Sequence, residues 1–372
     1  MKHIDVKEII SSKDYVGREV TVCGWVRTSR NSKSVAFVEL NDGTSLKNIQ
    51  VVVEKGDTDY KEPRVGMSLK VTGTVTEGRN NTVEINTAPD GITVLGECPQ
   101  DYPLQKKGHT LEFLRSMPHL RGRTNTFNAV WRVRSVLAAS LHEFFQKNNY
   151  VYVNTPLITG SDCEGAGEMF QVTTNGYTTE FKSEEEYYAN DFFGKRAGLS
   201  VSGQLEGEVA AMAMGKIYTF GPSFRAENSN TPKHLAEFWH IEPEVAFAEL
   251  DDVIEIAEDM LKYVITHILA EAPEEMAFLD SFVEKGLIEK LTAIAGSDFA
   301  RCTYTEAIDI LQKSGQKFEY PVSWGIDLQT EHERYLTEKH FQKPVFVYDY
   351  PKDIKAFYMR LNDDGKTVAA TD

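Results

Sequence analysis

The sequence lacks several features that would assign its class at once. Its four cysteines, Cys23, Cys98, Cys163 and Cys302, are far apart and form no CxxC pair. This spacing argues against a disulfide framework and against a zinc site, and it favours reduced thiols in a cytosolic protein. The first ten residues contain no apolar segment, and no apolar run approaches membrane-spanning length. We therefore expect neither a secretory signal nor a membrane span.

Positive charge is scarce overall, because 40 basic side chains face 56 acidic ones and the net charge is −16. An acidic chain is by itself a poor partner for nucleic acid. The distribution is uneven, however. Residues 1–100 are nearly neutral, residues 101–136 carry seven basic and two acidic side chains, and the acidic excess lies in the remainder. A polyanion can therefore contact the first third of the chain without meeting most of the negative charge.

Short strands are predicted throughout the first hundred residues. Five segments alternate or run apolar between Asn, Asp and Gly turns: 20–26, 35–40, 49–54, 68–76 and 82–96. This spacing predicts an OB-type barrel over residues 1–100. Such barrels stack the bases of single-stranded nucleic acid on exposed aromatic rings beside basic groups. The candidates here are Arg27, Arg30, Phe37 and Gln50, and the alternative is that Phe37 belongs to the core.

A basic linker, residues 101–125, follows the barrel. Its cations either contact a phosphate backbone or form a solvated hinge: Lys106, Lys107, Arg115, Arg121 and Arg123. Apolar residues at spacings of three and four then predict helices over 127–147 and 251–270. We interpret 281–340 as a helical insert, and 345–351 and 355–372 as strands.

Residues 220–247 predict an antiparallel hairpin, because two aromatic and β-branched segments flank an Asn-Ser-Asn-Thr-Pro turn. Its charged and aromatic side chains include Arg225, Glu227, His234 and Phe238. A guanidinium, a carboxylate and a stackable ring on adjacent strands are typical of a nucleotide site. The alternative is a surface hairpin whose charges serve solubility alone.

The segment FRAENSN, followed by HLAEF, closely resembles motif 2 of the class II aminoacyl-tRNA synthetases, in the aspartyl, asparaginyl and lysyl subgroup. The segments LEFLRSMPHLRGRT, GWV, AFVELNDG and IQVVV are also similar to that subgroup. The resemblance implies an α+β protein whose barrel binds the anticodon, and whose catalytic domain, residues 126–372, is an antiparallel sheet flanked by helices. It also implies a homodimer through the region around 127–156.

The resemblance also implies roles for the hairpin residues. Arg225 would bridge the α-phosphate of ATP and the substrate carboxylate, and Phe238 would stack on adenine. Glu227 would lie near the adenine amino group or the tRNA end, and His234 near the outer phosphates. Asp372 would bind Mg²⁺.

For the amino acid, the resemblance implies contacts with Glu164 and Gln204. Taken alone, Gln204 and Glu208 are an ordinary helix-surface pair four residues apart. In the subgroup, aspartyl enzymes carry Lys three residues after the Gln, whereas this chain has Gly207 there and an acid at Glu208. A carboxylate repels aspartate and accepts hydrogen bonds from an amide, so we expect L-asparagine and tRNA(Asn) as substrates.

The Gly-rich third motif of the family, which ends in Glu-Arg, does not occur in these 372 residues. The resemblance therefore implies a chain without its C-terminal portion, and we expect low stability and little activity. Three other interpretations remain open. One is an aspartyl-tRNA synthetase, the second is an asparagine synthetase related to this catalytic domain, although those lack the barrel, and the third is a non-catalytic RNA-binding protein that uses the barrel.

Overall fold

A computed structural model describes residues 3–56, 60–163, 169–228 and 234–372 of the chain. The chain divides into two compact units. The first contains Met1–Val136 and Leu269–Ile288, and the second contains Leu137–Ile268 and Glu289–Asp372. The division into domains at residues 100 and 125 stays a prediction.

Within these described ranges, the helices and strands have the following bounds. The α-helices are α1 (Val6–Ser11), α2 (Leu111–Arg115), α3 (Pro118–Arg121), α4 (Asn125–Lys147), α5 (Glu184–Ala189), α6 (Gln204–Met214), α7 (Leu250–Glu271), α8 (Pro273–Phe282), α9 (Leu287–Gly296), α10 (Tyr304–Lys313) and α11 (Thr330–Arg334). The strands are β1 (Glu19–Asn31), β2 (Val35–Asn41), β3 (Ile49–Glu54), β4 (Ser68–Glu77), β5 (Val83–Thr87), β6 (Ile92–Gly96), β7 (Val151–Tyr152), β8 (Ile158–Thr159), β9 (Gly198–Leu199), β10 (Lys216–Phe224), β11 (Glu237–Val245), β12 (Ala300–Thr303), β13 (Val345–Pro351) and β14 (Thr367–Thr371).

The first unit is built on a closed barrel. Its strands follow the order β1-β2-β3-β5-β4, and β1 also pairs with β4, so the sheet closes on itself. Strands β3 and β5 run parallel, and the other pairs of the barrel are antiparallel. Strand β6 is added at the outer edge of β4. The five-stranded barrel predicted from the sequence is confirmed.

The prediction of one strand over 82–96 is wrong, because β5 and β6 are separate strands. A 3-10 turn, Pro89–Gly91, lies between them. Proline has no N–H for the ladder and a fixed φ, so it ends the pairing of β5 with β3. Gly91 completes the turn, and a Cβ there would lie 2.1 Å from Thr87 Oγ1.

Alternation along the barrel strands separates core from surface. On β2, Ala36, Val38 and Leu40 point inward and are buried, whereas Phe37 points outward and is half-buried. Aliphatic residues on the neighbouring strands complete the interior. The interpretation of Phe37 as a core residue is therefore wrong.

The second unit contains the predicted hairpin, formed by β10 and β11 in antiparallel register, with β7 parallel to β10. Aromatic rings bury one face of this sheet. Tyr218 is fully buried, stacks on Phe145 at 4.7 Å between centroids, and bonds through its hydroxyl to His142 Nδ1 at 2.7 Å. Helices α4 and α7 confirm the helices predicted over 127–147 and 251–270.

A second sheet in this unit corrects two predictions. Strand β12 pairs in parallel with β13, and β13 pairs antiparallel with β14, so the sheets are mixed rather than antiparallel throughout. The region 281–340 is also not purely helical, because it contains β12. Four residues carry too weak a local pattern to predict a strand, and their pairing with a distant partner decides their conformation. Among the described helices, none is long and apolar enough to cross a membrane.

Candidate functional site

The hairpin has two chemically different faces because strand side chains alternate with a period of two. Tyr218, Phe220 and Ile241 lie on the face that packs on the helices. The opposite face of β11 carries Phe238, His240, Glu242 and Glu244, whose cross-strand partners are Ser223, Gly221, Thr219 and Ile217. This polar face is contacted by α6 and is the candidate site.

Glu242 organises the polar face by accepting several hydrogen bonds. Its carboxylate accepts from the Ser202 hydroxyl, from the Gly203 N–H at 3.0 Å and from the Thr219 hydroxyl at 2.9 Å. His240 Nδ1 lies 3.2 Å from the same carboxylate. The Glu242 side chain is only 12% exposed, so these bonds are shielded from water. Glu242 therefore holds the start of α6 against the hairpin.

The turn before α6, at Gly203, lies in close contact with the side chains around it. A Cβ on Gly203 would lie 2.8 Å from Thr155 Oγ1, 3.0 Å from Thr219 Oγ1 and 3.1 Å from Glu242 Oε2. A side chain at this position would displace the hydroxyls and the carboxylate that fix the turn. Gly203 is therefore required by close approach.

The first turns of α6 present the predicted amino-acid contacts. Gln204 is the first residue of the helix, and its side-chain amide donates to Glu208 Oε1 at 3.0 Å. Gly207, one turn after Gln204, is buried, and a Cβ there would lie 3.4 Å from Glu244 Cγ. The structure thus brings Gln204 and Glu208 together and turns Gly207 toward the sheet.

Three carboxylates give this region a negative potential. Burial, together with the nearby charges of Glu208 and Glu242, raises the pKa of Glu244 to about 7. The three side chains therefore lie close enough to repel one another. Such a cluster attracts an ammonium or an amide NH₂ and repels a carboxylate.

Arg225 lies at the loop end of the hairpin, directly after β10. Its N–H donates to the Ala236 carbonyl at 3.0 Å, which extends the ladder by one residue. Its Nε donates to the Val201 carbonyl at 3.4 Å, and its guanidinium carbon lies 5.5 Å from the centroid of the Phe238 ring. Val201 directly precedes Ser202, so Arg225 and the α6 turn form one site.

The other predicted hairpin residues are peripheral in this structure. Glu227 and His234 are exposed on the two sides of the hairpin loop. Glu164, the predicted amino-acid contact, lies outside the described residues. Asp372 belongs to the β12–β13–β14 sheet, where its backbone bonds in both directions with Val347 at 2.9 and 3.0 Å.

The predicted magnesium ligand is already paired. Asp372 Oδ2 accepts from Lys355 Nζ at 2.6 Å. The ammonium of Lys355 also lies 4.0 Å from the centroid of the Tyr350 ring. No group of three or more His, Cys, Asp or Glu side chains in the described ranges is arranged to hold a metal ion. Lys355 pairs with this carboxylate in the structure, and the role of Asp372 in binding Mg²⁺ stays a prediction.

The outer face of the barrel brings together three of the four predicted anticodon residues. Arg30 pairs across the ladder with Phe37, and its guanidinium carbon lies 6.0 Å from the ring centroid. Gln50 lies on the next strand and donates to Glu84 Oε2 at 2.8 Å. An aromatic ring, a cation and an amide thus share one solvent-facing surface.

Arg27 points elsewhere. Its guanidinium donates to the Arg123 carbonyl and to Asn125 Oδ1, the latter at 3.3 Å. Burial lowers the pKa of Arg27 from its ordinary value. The side chain joins the barrel to the linker, which supports a structural role in place of the predicted contact with a base.

Sequence reasoning missed the residues that support the site. Glu242, Glu244 and His240 were not singled out, although charged residues at alternate positions of a strand indicate one polar face. The donors to Glu242 come from residues 202, 203 and 219, and no local pattern predicts that these converge.

Comparison with known proteins identifies this arrangement. Residues 110–372 match the family of class II tRNA synthetases (D, K and N), and residues 20–94 match the OB-fold nucleic acid binding domain family. The chain therefore belongs to the class II tRNA synthetases of the D, K and N group, a class that uses ATP. The resemblance found in the sequence and the predicted α+β fold are both confirmed.

Within that family the chain is similar to asparagine–tRNA ligases. It is 57% identical over 380 residues to that of Alkaliphilus oremlandii (strain OhILAs), with 100% of this chain and 82% of the relative covered. It is 54% identical over 378 residues to that of Clostridium kluyveri, with the same coverage. The asparaginyl-tRNA synthetase from Pyrococcus horikoshii complexed with asparaginyl-adenylate has a similar structure. The TM-score is 0.83 at 29% identity, over 100% of this chain and 80% of that one.

Proposed function

We propose that the chain is an asparagine–tRNA ligase that activates L-asparagine with ATP and transfers it to tRNA(Asn). The observation that carries this proposal is the acidic cluster of Glu208, Glu242 and Glu244 beside Arg225 and Gln204. The similarity to asparagine–tRNA ligases over the whole chain supports the same substrate.

The first step joins the α-carboxylate of asparagine to the α-phosphorus of ATP and releases pyrophosphate. The attacking oxygen belongs to the substrate, so the protein supplies position and charge rather than a nucleophile. Arg225 carries a planar guanidinium that can bind the carboxylate and the α-phosphate together. Phe238, on the same face, would stack on adenine. Glu227 and His234 lie at the loop where the adenine edge and the outer phosphates would be.

Charge selects asparagine over aspartate in this proposal. The Gln204 amide oxygen accepts from the α-ammonium group, and Glu208 accepts from the side-chain NH₂ of asparagine. An aspartate side chain would instead place a fourth carboxylate near Glu208, Glu242 and Glu244. The resulting repulsion disfavours aspartate without any steric exclusion. Glu164 stays a predicted contact with the amino acid.

The tRNA would be read on the barrel by Phe37, Arg30 and Gln50. Phe37 offers a ring for stacking, and Gln50 offers an amide edge for hydrogen bonding. A homodimer through the region around 127–156 also stays a prediction, and light scattering of the purified chain tests it.

Asparagine-dependent exchange between ATP and pyrophosphate tests the first step on the chain itself. We expect the exchange that the chain catalyses to require asparagine, not to occur with aspartate, and to be lost in Arg225→Ala. Arg334→Ala is the matched control, because Arg334 is an exposed arginine paired with Glu338 on a neighbouring turn. Exchange that prefers aspartate, or full exchange in Arg225→Ala, would contradict the proposal.

A further inference from the structure

Helix α8 lies in the synthetase part of the sequence but is grouped with the barrel in the structure. Its residues fall within 110–372, the range that matches the class II tRNA synthetases, yet it belongs to the same compact unit as Met1–Val136. The function proposed so far gives this helix no part. Its first turn carries two acidic side chains, Glu274 and Glu275. Both are connected to the β2–β3 loop, residues 42–48, by the contacts of their carboxylates.

Glu274 binds the β2–β3 loop directly. The Ser45 hydroxyl lies 3.2 and 3.1 Å from the two carboxylate oxygens of Glu274 and donates a hydrogen bond to this carboxylate. Ser45 is 2% exposed, so water competes little for the bond. The Lys47 ammonium lies 3.9 Å from the same carboxylate, but its side chain is 75% exposed and the pair contributes little. Ser45 is therefore the group through which Glu274 holds the loop.

Glu275 supports the same loop from a buried position. Its side chain is 11% exposed, and its carboxylate lies 3.8 Å from Arg132 Nε. The Arg132 guanidinium in turn donates to the Gly43 carbonyl and, at 2.8 Å, to Asn128 Oδ1. A buried carboxylate is unfavourable unless it is paired, so this contact fixes both of its members. The two adjacent acids of α8 thus hold two points of one loop.

The loop connects this support to the predicted anticodon surface. Asn41 Nδ2 donates to the Ser45 carbonyl at 3.0 Å and to Asn48 Oδ1 at 3.1 Å. Asn48 Nδ2 donates to Glu39 Oε2 at 3.2 Å, and Glu39 is the cross-strand partner of Gln50. A displacement of Ser45 would therefore also displace Asn48 and the start of β3, which carries Gln50.

Charge alone would make Glu274 unfavourable for RNA binding. A carboxylate repels a phosphate backbone, and Glu274 and Glu275 place two of them beside a loop that leads into a nucleic-acid surface. Removal of one negative charge would by itself strengthen the binding of RNA. A favourable contribution of Glu274 to RNA binding must therefore come from the position of the loop and not from charge.

We propose that Glu274 is a positioning residue for RNA recognition, which fixes the β2–β3 loop through Ser45 and thereby holds Gln50 in place on the barrel. The inference rests on the proposed function in taking tRNA(Asn) as the partner. It adds a residue of the synthetase segment, 229 positions along the chain from Ser45, that acts on RNA through the loop without contacting it.

Direct binding of a tRNA(Asn) transcript to the full chain is a test in which position and charge predict opposite signs. We expect Glu274→Ala to weaken tRNA binding by roughly tenfold, the effect of losing one hydrogen bond to a charged group. Glu77→Ala is the matched control, because Glu77 is an exposed carboxylate of the same unit, paired with Lys13. It removes the same charge without touching the loop and should not weaken binding.

Three further variants separate the positioning role from a general loss of structure. Ser45→Ala removes the same hydrogen bond from its other end and should weaken tRNA binding to the same extent. The double variant Ser45→Ala, Glu274→Ala should be no weaker than either single variant, because all three lack one bond. Glu274→Gln keeps an oxygen that accepts from the Ser45 hydroxyl and should restore most of the affinity. Circular dichroism checks that each variant is folded.

Unchanged or increased tRNA affinity in Glu274→Ala would overturn the inference, and so would additive effects in the double variant. Asparagine binding, measured by calorimetry on the same variants, should stay unchanged. A parallel loss of asparagine and tRNA binding would show a general loss of structure and would also overturn the positioning role.

Failure of the proposed function gives a different result. A parent chain that prefers aspartate, or that binds a tRNA(Asp) transcript better than tRNA(Asn), would contradict the function alone. The comparison of the Ser45 and Glu274 variants holds for either transcript, so the inference about the loop is decided separately.

Discussion

The barrel and the hairpin hold their candidate binding residues by different means. On the barrel, Arg30, Phe37 and Gln50 stand on the outer side of strands whose inner side chains form a separate aliphatic core. On the hairpin, Glu242 joins two strands and the start of α6 through hydrogen bonds to its carboxylate. The barrel residues can be changed without disturbing the fold. In the hairpin, by contrast, the Glu242 carboxylate both holds the site in place and contributes to its negative charge.

The largest effect is expected when the Glu242 carboxylate, which both supports the hairpin site and contributes to its charge, is removed. In Glu242→Ala the Gly203 N–H and the hydroxyls of Ser202 and Thr219 lose their acceptor in a shielded site. Each unsatisfied donor costs about 1–3 kcal/mol, so we expect a loss of roughly 3 kcal/mol or more in the free energy of unfolding. Asparagine-dependent exchange should fall at least about a hundredfold, since α6 loses its position.

Urea denaturation and the exchange assay measure the two effects of this substitution. Glu338→Ala is the control, because Glu338 is an exposed carboxylate paired with Arg334 and should leave both quantities nearly unchanged. An active Glu242→Ala enzyme of normal stability would show that the turn before α6 does not depend on this carboxylate.

Phe37→Ala tests the barrel side of the comparison. We expect kcat/KM for tRNA in aminoacylation to fall by roughly tenfold or more, which corresponds to the loss of one stacked base. Asparagine-dependent exchange should stay the same, and stability should change little because the ring lies outside the core. Val94→Ala, at a 45% exposed position on β6, is the control. An equal fall in exchange and in aminoacylation would mean that the barrel and the hairpin are not separable.

Substitution of Glu244 is expected to have the smallest effect, which appears in the pH dependence of the free energy of unfolding. Its pKa is raised in the folded protein to about 7 from an ordinary value of 4.5. Between these two values the folded state binds more protons than the unfolded state, so stability falls as pH rises from about 4.5 to 7. Glu244→Gln should remove this fall and stabilise the protein at pH 8 by on the order of 1 kcal/mol.

Urea midpoints at pH 5 and pH 8 measure the effect of Glu244→Gln. The variant should match the parent protein at pH 5 and exceed it at pH 8. An identical pH dependence in both proteins would mean that neither burial nor the charges of Glu208 and Glu242 raise the pKa of this carboxyl group.

Local patterns in the sequence predicted a large part of this structure. Helices α4 and α7 follow from apolar spacing, and the hairpin follows from two β-rich segments around a turn. Arg225, Gln204 and Glu208 were predicted as site residues because their segments resemble the family's motifs, and their roles stay predictions. In each case the information lies within a few residues of the element that it predicts.

Features that depend on distant partners could not be predicted in this way. Strand β12 exists because β13 pairs with it, and its own four residues carry no signal. Arg27 binds the Arg123 carbonyl, 96 positions along the chain, so its sequence neighbours suggest a base contact instead. Pro89, by contrast, is a local signal that a strand ends within 82–96. The prediction of a single strand there was wrong because it did not use this signal.

Gly207 has a consequence for how readily substrate preference can change in this fold. A Cβ at that position would meet Glu244 Cγ, Ile217 Cδ1 and Thr219 Cγ2 at 3.4 to 3.6 Å, which are ordinary contact distances. The position is therefore open to a side chain, and a lysine that entered it would meet the carboxylates of Glu208 and Glu244. If the chain prefers asparagine as proposed, charge and not shape opposes aspartate at this site, and Gly207→Lys should weaken that preference.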